Sequence, residues 1–298
     1  MTYSIVARDP ATGELGVAVQ SCYLGAGSIV PWARPGVGAV ASQAIAERAY
    51  SPRCLGALAA GASAAAALAE ARAADPGAEL RQVGVVGADG STAVVTGGLC
   101  IDHAGDVTGD GWTAQANMMS TPDVWGAMGA AYEQASGPLA RRLLATLAAG
   151  EAAGGDARGR MAAGLVVVEA TVPEAPGGGV VVDLRVDRSD DPLGDLARLL
   201  DAHDAFAGFD AAAERLFGGD PAGALATIDG ALATLPGEEN LRLIRAGALL
   251  ASGATDEGVA EIRSLVADRP TWEVIVRSFA GNGLVAIPPG VSLDDLFG

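Results

Sequence analysis

The sequence predicts an α+β protein: a four-layer α-β-β-α sandwich of two antiparallel sheets, followed by a small all-helical domain. Three observations lead there. Strand-like and helical segments alternate in the order three strands, helices, three strands, helices, two strands. Short Asp- and Gly-bearing turns join neighbouring strands as hairpins, which makes the pairing antiparallel. The strands are also too apolar for a sheet wetted on one side, so each sheet needs cover on both faces. Two sheets packed on one another, each with helices on its outer face, meet these conditions.

The elements follow in chain order. "YSIVAR" and "ELGVAVQS" are strands joined by "DPATGE", whose Asp, Pro and Gly suit a tight turn. "VPWARPG" comes next, and its two prolines argue against regular pairing. "GVGAVASQA" reads as the third strand. "SPRCLGALAAGASAAAALAEARAADPG" carries Ala and Leu at helical spacing, with Ser51 as N-cap, Pro52 at the first helical position and Asp-Pro-Gly as the stop. "RQVGVVGADGSTAVVTGG" is a hairpin turning at Asp89-Gly90, and "GDGWTAQANMM" is a further strand. "TPDVWGAMGAAYEQASGPLARRLLATLAAG" gives two helices broken at Gly137-Pro138. "RMAAGLVVVEA" and "GGGVVVDLRVD" are very apolar strands, and "DPLGDLARLLDAHDAFAGF" opens a helix.

Near residue 205 the pattern becomes wholly helical, which sets the expected domains at 1–205 and 206–298. Segments 220–236 and 254–270 stand about 34 residues apart, the period of tetratricopeptide-type helix pairs. Two such pairs make an appendage, not an array.

Composition narrows the chemistry. Of 298 residues, 50% are hydrophobic but only 4% aromatic, so Ala, Val, Leu and Gly build the core. The net charge of −17 argues against nucleic acid and anionic membrane surfaces as partners. All 19 cations are arginine. Without lysine, Schiff-base chemistry, pyridoxal-phosphate attachment and a Walker A loop are excluded. Cys22, Cys54 and Cys100 form neither a disulfide framework nor a zinc spacing, and only two histidines, His103 and His203, are present. No cofactor and no metal are therefore expected. "GVGAVA" matches a dinucleotide pattern, yet prolines precede it and no acidic residue follows at the required distance. "DVTGDG" resembles the start of a calcium loop but has Asn117 where a bidentate glutamate belongs, and reads better as a glycine turn. His103 beside Asp102 has a reading as a base with Cys22 or Cys100, and an idle turn histidine is the other. No signal segment or apolar run of spanning length is seen, so the expected location is the cytoplasm.

Thr2 follows the initiator Met1 directly and begins a strand. Removal of Met1 would leave one residue carrying a hydroxyl nucleophile and a free α-amine. That amine has an ordinary pKa of about 7.7–8.0, so a neutral fraction is available to take the hydroxyl proton. β-branching restricts χ1 and pre-aims the hydroxyl. The plainer reading is a threonine that starts an edge.

The blocks "MTYSIVARDPATGELGVAVQS", "PWARPGVGAVASQA", "GEAAGGDARGR" and "VDLRVDRSDDP" resemble, in that order, the domain-of-unknown-function 1028 family within the N-terminal-nucleophile (Ntn) hydrolase superfamily. The resemblance covers roughly residues 1–205. It implies an Ntn-hydrolase-like fold and cleavage of a small amide by an N-terminal threonine, onto which only Thr2 maps. Members often carry a helical C-terminal extension, tetratricopeptide-like or peptidoglycan-binding-like, similar to "TWEVIVRSFAGNGLVAIP". The proteasome-like branch adds a lysine near the nucleophile, which this chain lacks, so arginine would supply charge, with Arg160 and Arg185 as candidates and Asp187 to orient one. "GRMAAGL" departs from the family pattern by losing polar side chains.

Ser4 lies on the same strand face as Thr2, Ser21 ends the neighbouring hairpin strand, and Asn117 has an amide suited to an oxyanion. Each also reads as a structural hydrogen bond, and Asp187 as part of a solvated turn and cap. Arginine around the site would favour a carboxylate-bearing substrate. The expected partners are thus a small amide-containing substrate and, from the apolar helices, a second copy in a homodimer. The alternative function is a non-catalytic binding or scaffolding protein on the same fold.

Overall fold

The computed structural model describes residues 2–175, 177–282, 285, 287, 290 and 292–297. The chain forms two compact units, 1–197 and 198–298. In the first, β1 (Thr2–Arg8), β2 (Leu15–Ser21), β3 (Pro31–Arg34) and β4 (Gly38–Ala44) lead into α1 (Tyr50–Ala59) and α2 (Ala64–Ala73). Next come β5 (Arg81–Gly87), β6 (Thr92–Thr96), β7 (Gly105–Gly109) and β8 (Trp112–Asn117), then α3 (Val124–Gln134) and α4 (Leu139–Ala152). β9 (Ala162–Val168) and β10 (Val180–Val186) complete the strands, and α5 (Pro192–Phe217) follows.

Among the described residues ten strands make two antiparallel sheets, one in the order β10-β9-β2-β1-β8-β7 and one in the order β3-β4-β5-β6. α3 and α4 pack on the six-stranded sheet, α1 and α2 on the four-stranded one, and the sheets face each other through β1, β4, β5 and β8. This is the α-β-β-α sandwich and the α+β class that the sequence predicts.

Period-two alternation sorts the side chains. On β1, Tyr3 turns toward the helices, where its hydroxyl donates to Glu151 Oε2 of α4 at 2.8 Å. Burial, with Glu151 beside it, drives the Tyr3 pKa far upward and keeps that donor protonated. The opposite face of β1 carries Thr2, Ser4 and Val6 into the space between the sheets. That space is apolar at one end, where Val6, Val17, Val19, Ala39, Ala41, Val86 and Val166 pack together. At the other end it holds Ser4, Gln43, Gln82, Thr113, Gln115 and Asn117, all buried.

Several local expectations are corrected. "PWAR" does pair, as β3 on the edge of the smaller sheet, where Pro31 opens the strand and no inner ladder bond is lost. "GDVTG" is a strand, β7, on the edge of the larger sheet. The Ala-rich stretch forms two helices, with Gly61 at φ 92° between them. Ser51 does not cap α1. Tyr50, drawn fully into the core, starts the helix two residues earlier and carries Ser51 inside, so the cap position falls on Ala49.

The division between the units falls inside α5, at Ala197 and Arg198 and ahead of the expected 205. In the second unit, α6 (Pro221–Thr234), α7 (Glu239–Ser252), α8 (Thr255–Asp268) and α9 (Trp272–Gly281) pack in succession. Asp220 caps α6 through Gly223 N–H, with Pro221 at its first turn. Leu250, Ile262, Leu265, Trp272 and Val276 form its larger apolar cluster. No helix among the described residues is long and apolar enough to cross a membrane.

One close approach fixes the wall beside the cavity described next. A Cβ on Gly164 of β9 would lie 2.6 Å from the Gly27 Cα, in the 3-10 turn Ala26–Ser28. Gly164→Ala is expected to lower stability by about 1–3 kcal/mol, as overpacking against backbone does. Urea denaturation measures this, and an unchanged midpoint contradicts the contact.

Candidate active site

β1 lies between β2 and β8, and its first residue sits where both neighbours end. Thr2 is opposite Asn117 in register and is only 5% exposed. Its Oγ1 donates to Ser21 Oγ at 3.0 Å. Its carbonyl oxygen accepts from Gln43 Nε2 at 3.1 Å and from Asn117 Nδ2 at 3.2 Å. The two amides also share an acceptor, Gln82 Oε1, at 2.8 and 2.9 Å. Ser4 Oγ donates to Gln43 Oε1 at 2.7 Å and accepts from Gln115 Nε2 at 2.6 Å. Thr113 Oγ1 donates to Gln115 Oε1 at 2.7 Å, and Gln82 Nε2 donates to Ala116 O and Thr96 Oγ1 at 2.8 Å each. Buried polar groups are tolerable only when paired, and this network pairs them across both sheets.

The chain is strained at the end of β4 and just beyond β8. Ala44 and Met118, which directly follow Gln43 and Asn117, have φ of 71° and 57°. Side-chain-bearing residues seldom take that conformation, and it persists where the surroundings over-determine it. A third element closes the bracket. The loop after α4 brings Asp156, whose side chain is fully buried, onto Cys22 N–H at 3.1 Å and onto Arg158 through its backbone N–H at 2.9 Å and its Nη2 at 3.0 Å. Ala157 N–H donates to Met118 O, and Met119 bridges to Asp156. The ends of the strands flanking β1 are thus tied to one short segment, β2 through the Asp156 carboxylate and β8 through the backbone of residues 156–157.

Two cavities of about 320 Å³ each open here. One is lined by Thr2, Ser21, Gln43 and Arg48 together with apolar side chains such as Ile29 and Val30. The other is lined by Asn117, Met118, Arg158 and Cys100 with Leu80, Leu99 and Ile101. Tyr23, Ala44 and Ile45 line both.

Of the residues singled out in the sequence, Thr2, Ser21 and Asn117 come together here. Asn117 is committed to the Thr2 carbonyl and Gln82, so in this arrangement it positions Thr2 and is not a free oxyanion donor. Ser4 lies one layer deeper, bonded to Gln43 and Gln115 and lining neither cavity. Arg160, Arg185 and Asp187 also line neither. Arg160 donates to Asp190 O and faces Glu151 and Asp191 at 3.9 and 3.7 Å. Arg185 pairs with Asp183 on β10, three strands from β1, and the Asp187 carbonyl accepts from Gly25 N–H. In the quoted stretch "GGDARGR" the arginine at the site is Arg158, two residues before Arg160.

The sequence reading also passed over Gln43, Gln82, Gln115, Asp156 and Arg48. The glutamines carry a legible signal, since each falls at an inward position of a strand covered on both faces. Cys54 is no nucleophile, because burial pushes its thiol up to about 12. His103 Nδ1 lies 3.0 Å from Met119 O at a backbone φ of 52°, a clamp on the loop after β8. Among the described residues no three His, Cys, Asp or Glu side chains gather as a metal would need.

Comparison with known proteins places this unit. Residues 2–196 match the model of a family of unknown function, DUF1028, so the match ends where the first unit ends. A crystal structure of a Silicibacter pomeroyi protein of that family is 33% identical over 67% of this chain and 84% of that one, with a TM-score of 0.61. No curated protein matches.

Asp156→Ala removes the buried carboxylate that pairs with the part-exposed Arg158 and orphans the Cys22 N–H. It is expected to lower stability by about 1–3 kcal/mol in urea denaturation, and an unchanged midpoint contradicts the clamp.

Proposed function

The chain belongs to the DUF1028 family, and from that premise we propose that it is an amidohydrolase of the N-terminal-nucleophile type, with Thr2 exposed as the first residue by loss of Met1. The observation that carries the reading is the setting of Thr2: nearly buried, gripped through its carbonyl, yet lining a cavity of ligand size. A firm grip on a residue that lines a cavity is what positional catalysis needs.

The steps follow from the hydrogen bonds. Thr2 Oγ1 donates toward Ser21 Oγ, which leaves its lone pairs available for the substrate carbonyl carbon. As the C–O bond forms, the hydroxyl proton passes to the neutral α-amine of Thr2, directly or through Ser21 or one water. The resulting ammonium returns that proton to the leaving nitrogen as the C–N bond breaks. An ester on Thr2 Oγ1 remains. Water then attacks the ester with the amine again as base, the acyl C–O bond to Thr2 breaks as the ammonium returns the proton to Oγ1, and the carboxylic acid leaves with the free hydroxyl restored. Gln43 and Asn117 hold the residue still, and Ser4 fixes Gln43.

Intact mass is expected to show the protein without Met1. Thr2→Ala is expected to lower turnover of an amide library at least about 1,000-fold with an unchanged unfolding midpoint, while Thr2→Ser keeps part of it. Because the amine must be neutral to accept the proton, kcat/KM should climb about tenfold per pH unit and level off above about pH 7.7–8.0. Full activity with Met1 retained contradicts the proposal, whereas Met1 retained with no amide turnover favours the binding or scaffolding alternative.

A further inference from the structure

The two cavities differ in character, and the difference points to a substrate class. This step rests on the reading of Thr2 as nucleophile. Thr2 lines one cavity, its register partner Asn117 lines the other, and Tyr23, Ala44 and Ile45 belong to both walls. A scissile bond at Thr2 would therefore sit where the cavities meet, with one half of the substrate in each.

Arg48 decides the first half. The arginines named above are neutralised: Arg158 by Asp156, Arg160 by Glu151 and Asp191, Arg185 by Asp183. Arg48 has no ion pair or hydrogen bond among the described residues, although it lines the cavity. Its neighbour Glu47 is turned away, accepting from Ala49 N–H at 3.0 Å through its carboxylate and from Ser42 Oγ at 3.2 Å through its carbonyl. Ile45 N–H is held by Leu80 O, so the segment presenting Arg48 is anchored on both sides. In a protein of net charge −17 the general field repels anions, and an unpaired guanidinium in a cavity is a local reversal of that field. A carboxylate takes two parallel hydrogen bonds from such a group.

The second cavity asks for the opposite. Leu80, Leu99, Ile101 and Met118 line it, and its one arginine, Arg158, is already paired with Asp156. Leu99 and Ile101 are 64% and 52% exposed, so apolar surface stands open to a ligand.

We propose that the substrate is a small amide bearing a free carboxylate on one side of the scissile bond, read by Arg48, and an apolar arm on the other, taken up by the second cavity.

The test uses the full-length protein and a set of short N-acyl amino acids, each paired with an isostere in which a methyl group replaces the carboxylate. Wild type is expected to cleave the acids with kcat/KM about 10- to 100-fold above their isosteres, Arg48→Leu to erase that preference, and Arg48→Lys to keep part of it. Calorimetric binding of the same pairs to Thr2→Ala reads recognition apart from chemistry and should show the same preference. Thr2-dependent turnover of isosteres and acids alike overturns this proposal and leaves the nucleophile standing. Acid-selective binding abolished by Arg48→Leu, with no Thr2-dependent turnover, upholds the recognition and overturns the nucleophile. Binding of neither, or a preference untouched by Arg48→Leu, overturns the role given to Arg48.

Discussion

The carbonyl oxygen of Thr2 takes one hydrogen bond from Gln43 of the four-stranded sheet and one from Asn117 of its own sheet, and both amides lean on Gln82. A sandwich interior is a costly place for such groups. Each buried amide left unpaired costs about 1–3 kcal/mol, whereas each one paired adds only about 0.5–1.5 kcal/mol. That asymmetry makes the network rigid, because moving one member orphans others. It also sets the register of the sheets at this end, since Ser4, Gln43, Gln82, Gln115 and Asn117 meet only when β1, β4, β5 and β8 are aligned. Gly84 belongs to the same constraint: a Cβ there would stand 2.5 Å from Gln115 Oε1 and Thr113 Oγ1. Room for the amides comes from the missing side chain.

The layered architecture was readable from the chain because burial of strands on both faces leaves a coarse mark: long apolar runs punctuated by tight turns. Edges were harder. β3 opens with a proline and β7 is glycine-rich and half-buried, and both survive because an edge strand needs only one paired side. The start of α1 was missed because Tyr50 gains more from the core than Ser51 offers as a cap. Thr2 and Ser21 could be brought together from hairpin logic, since antiparallel pairing places the end of β2 beside the start of β1, whereas Asn117 arrives through the non-sequential pairing of β1 with β8. Arg160 and Arg185 could not be sorted from Arg158 and Arg48, because which loops and strand ends meet at Thr2 depends on pairings between segments distant in sequence.

Charge is arranged to the same end. Arg158, Arg160 and Arg185 are held by carboxylates of their own surroundings, and among the described residues Arg48 is not. Strain at Ala44 and Met118 falls on residues that line the cavities. The site is therefore the place where paired amides, a buried carboxylate clamp and unfavourable backbone conformations coincide, on the first residue of the first strand.

Acid quenching during turnover, followed by peptide mass mapping, asks most directly whether Thr2 attacks the substrate. A chain beginning at Thr2 and carrying the acyl group on that residue is the predicted result. Turnover with the acyl group on another residue, or on a chain that still begins with Met1, would contradict it.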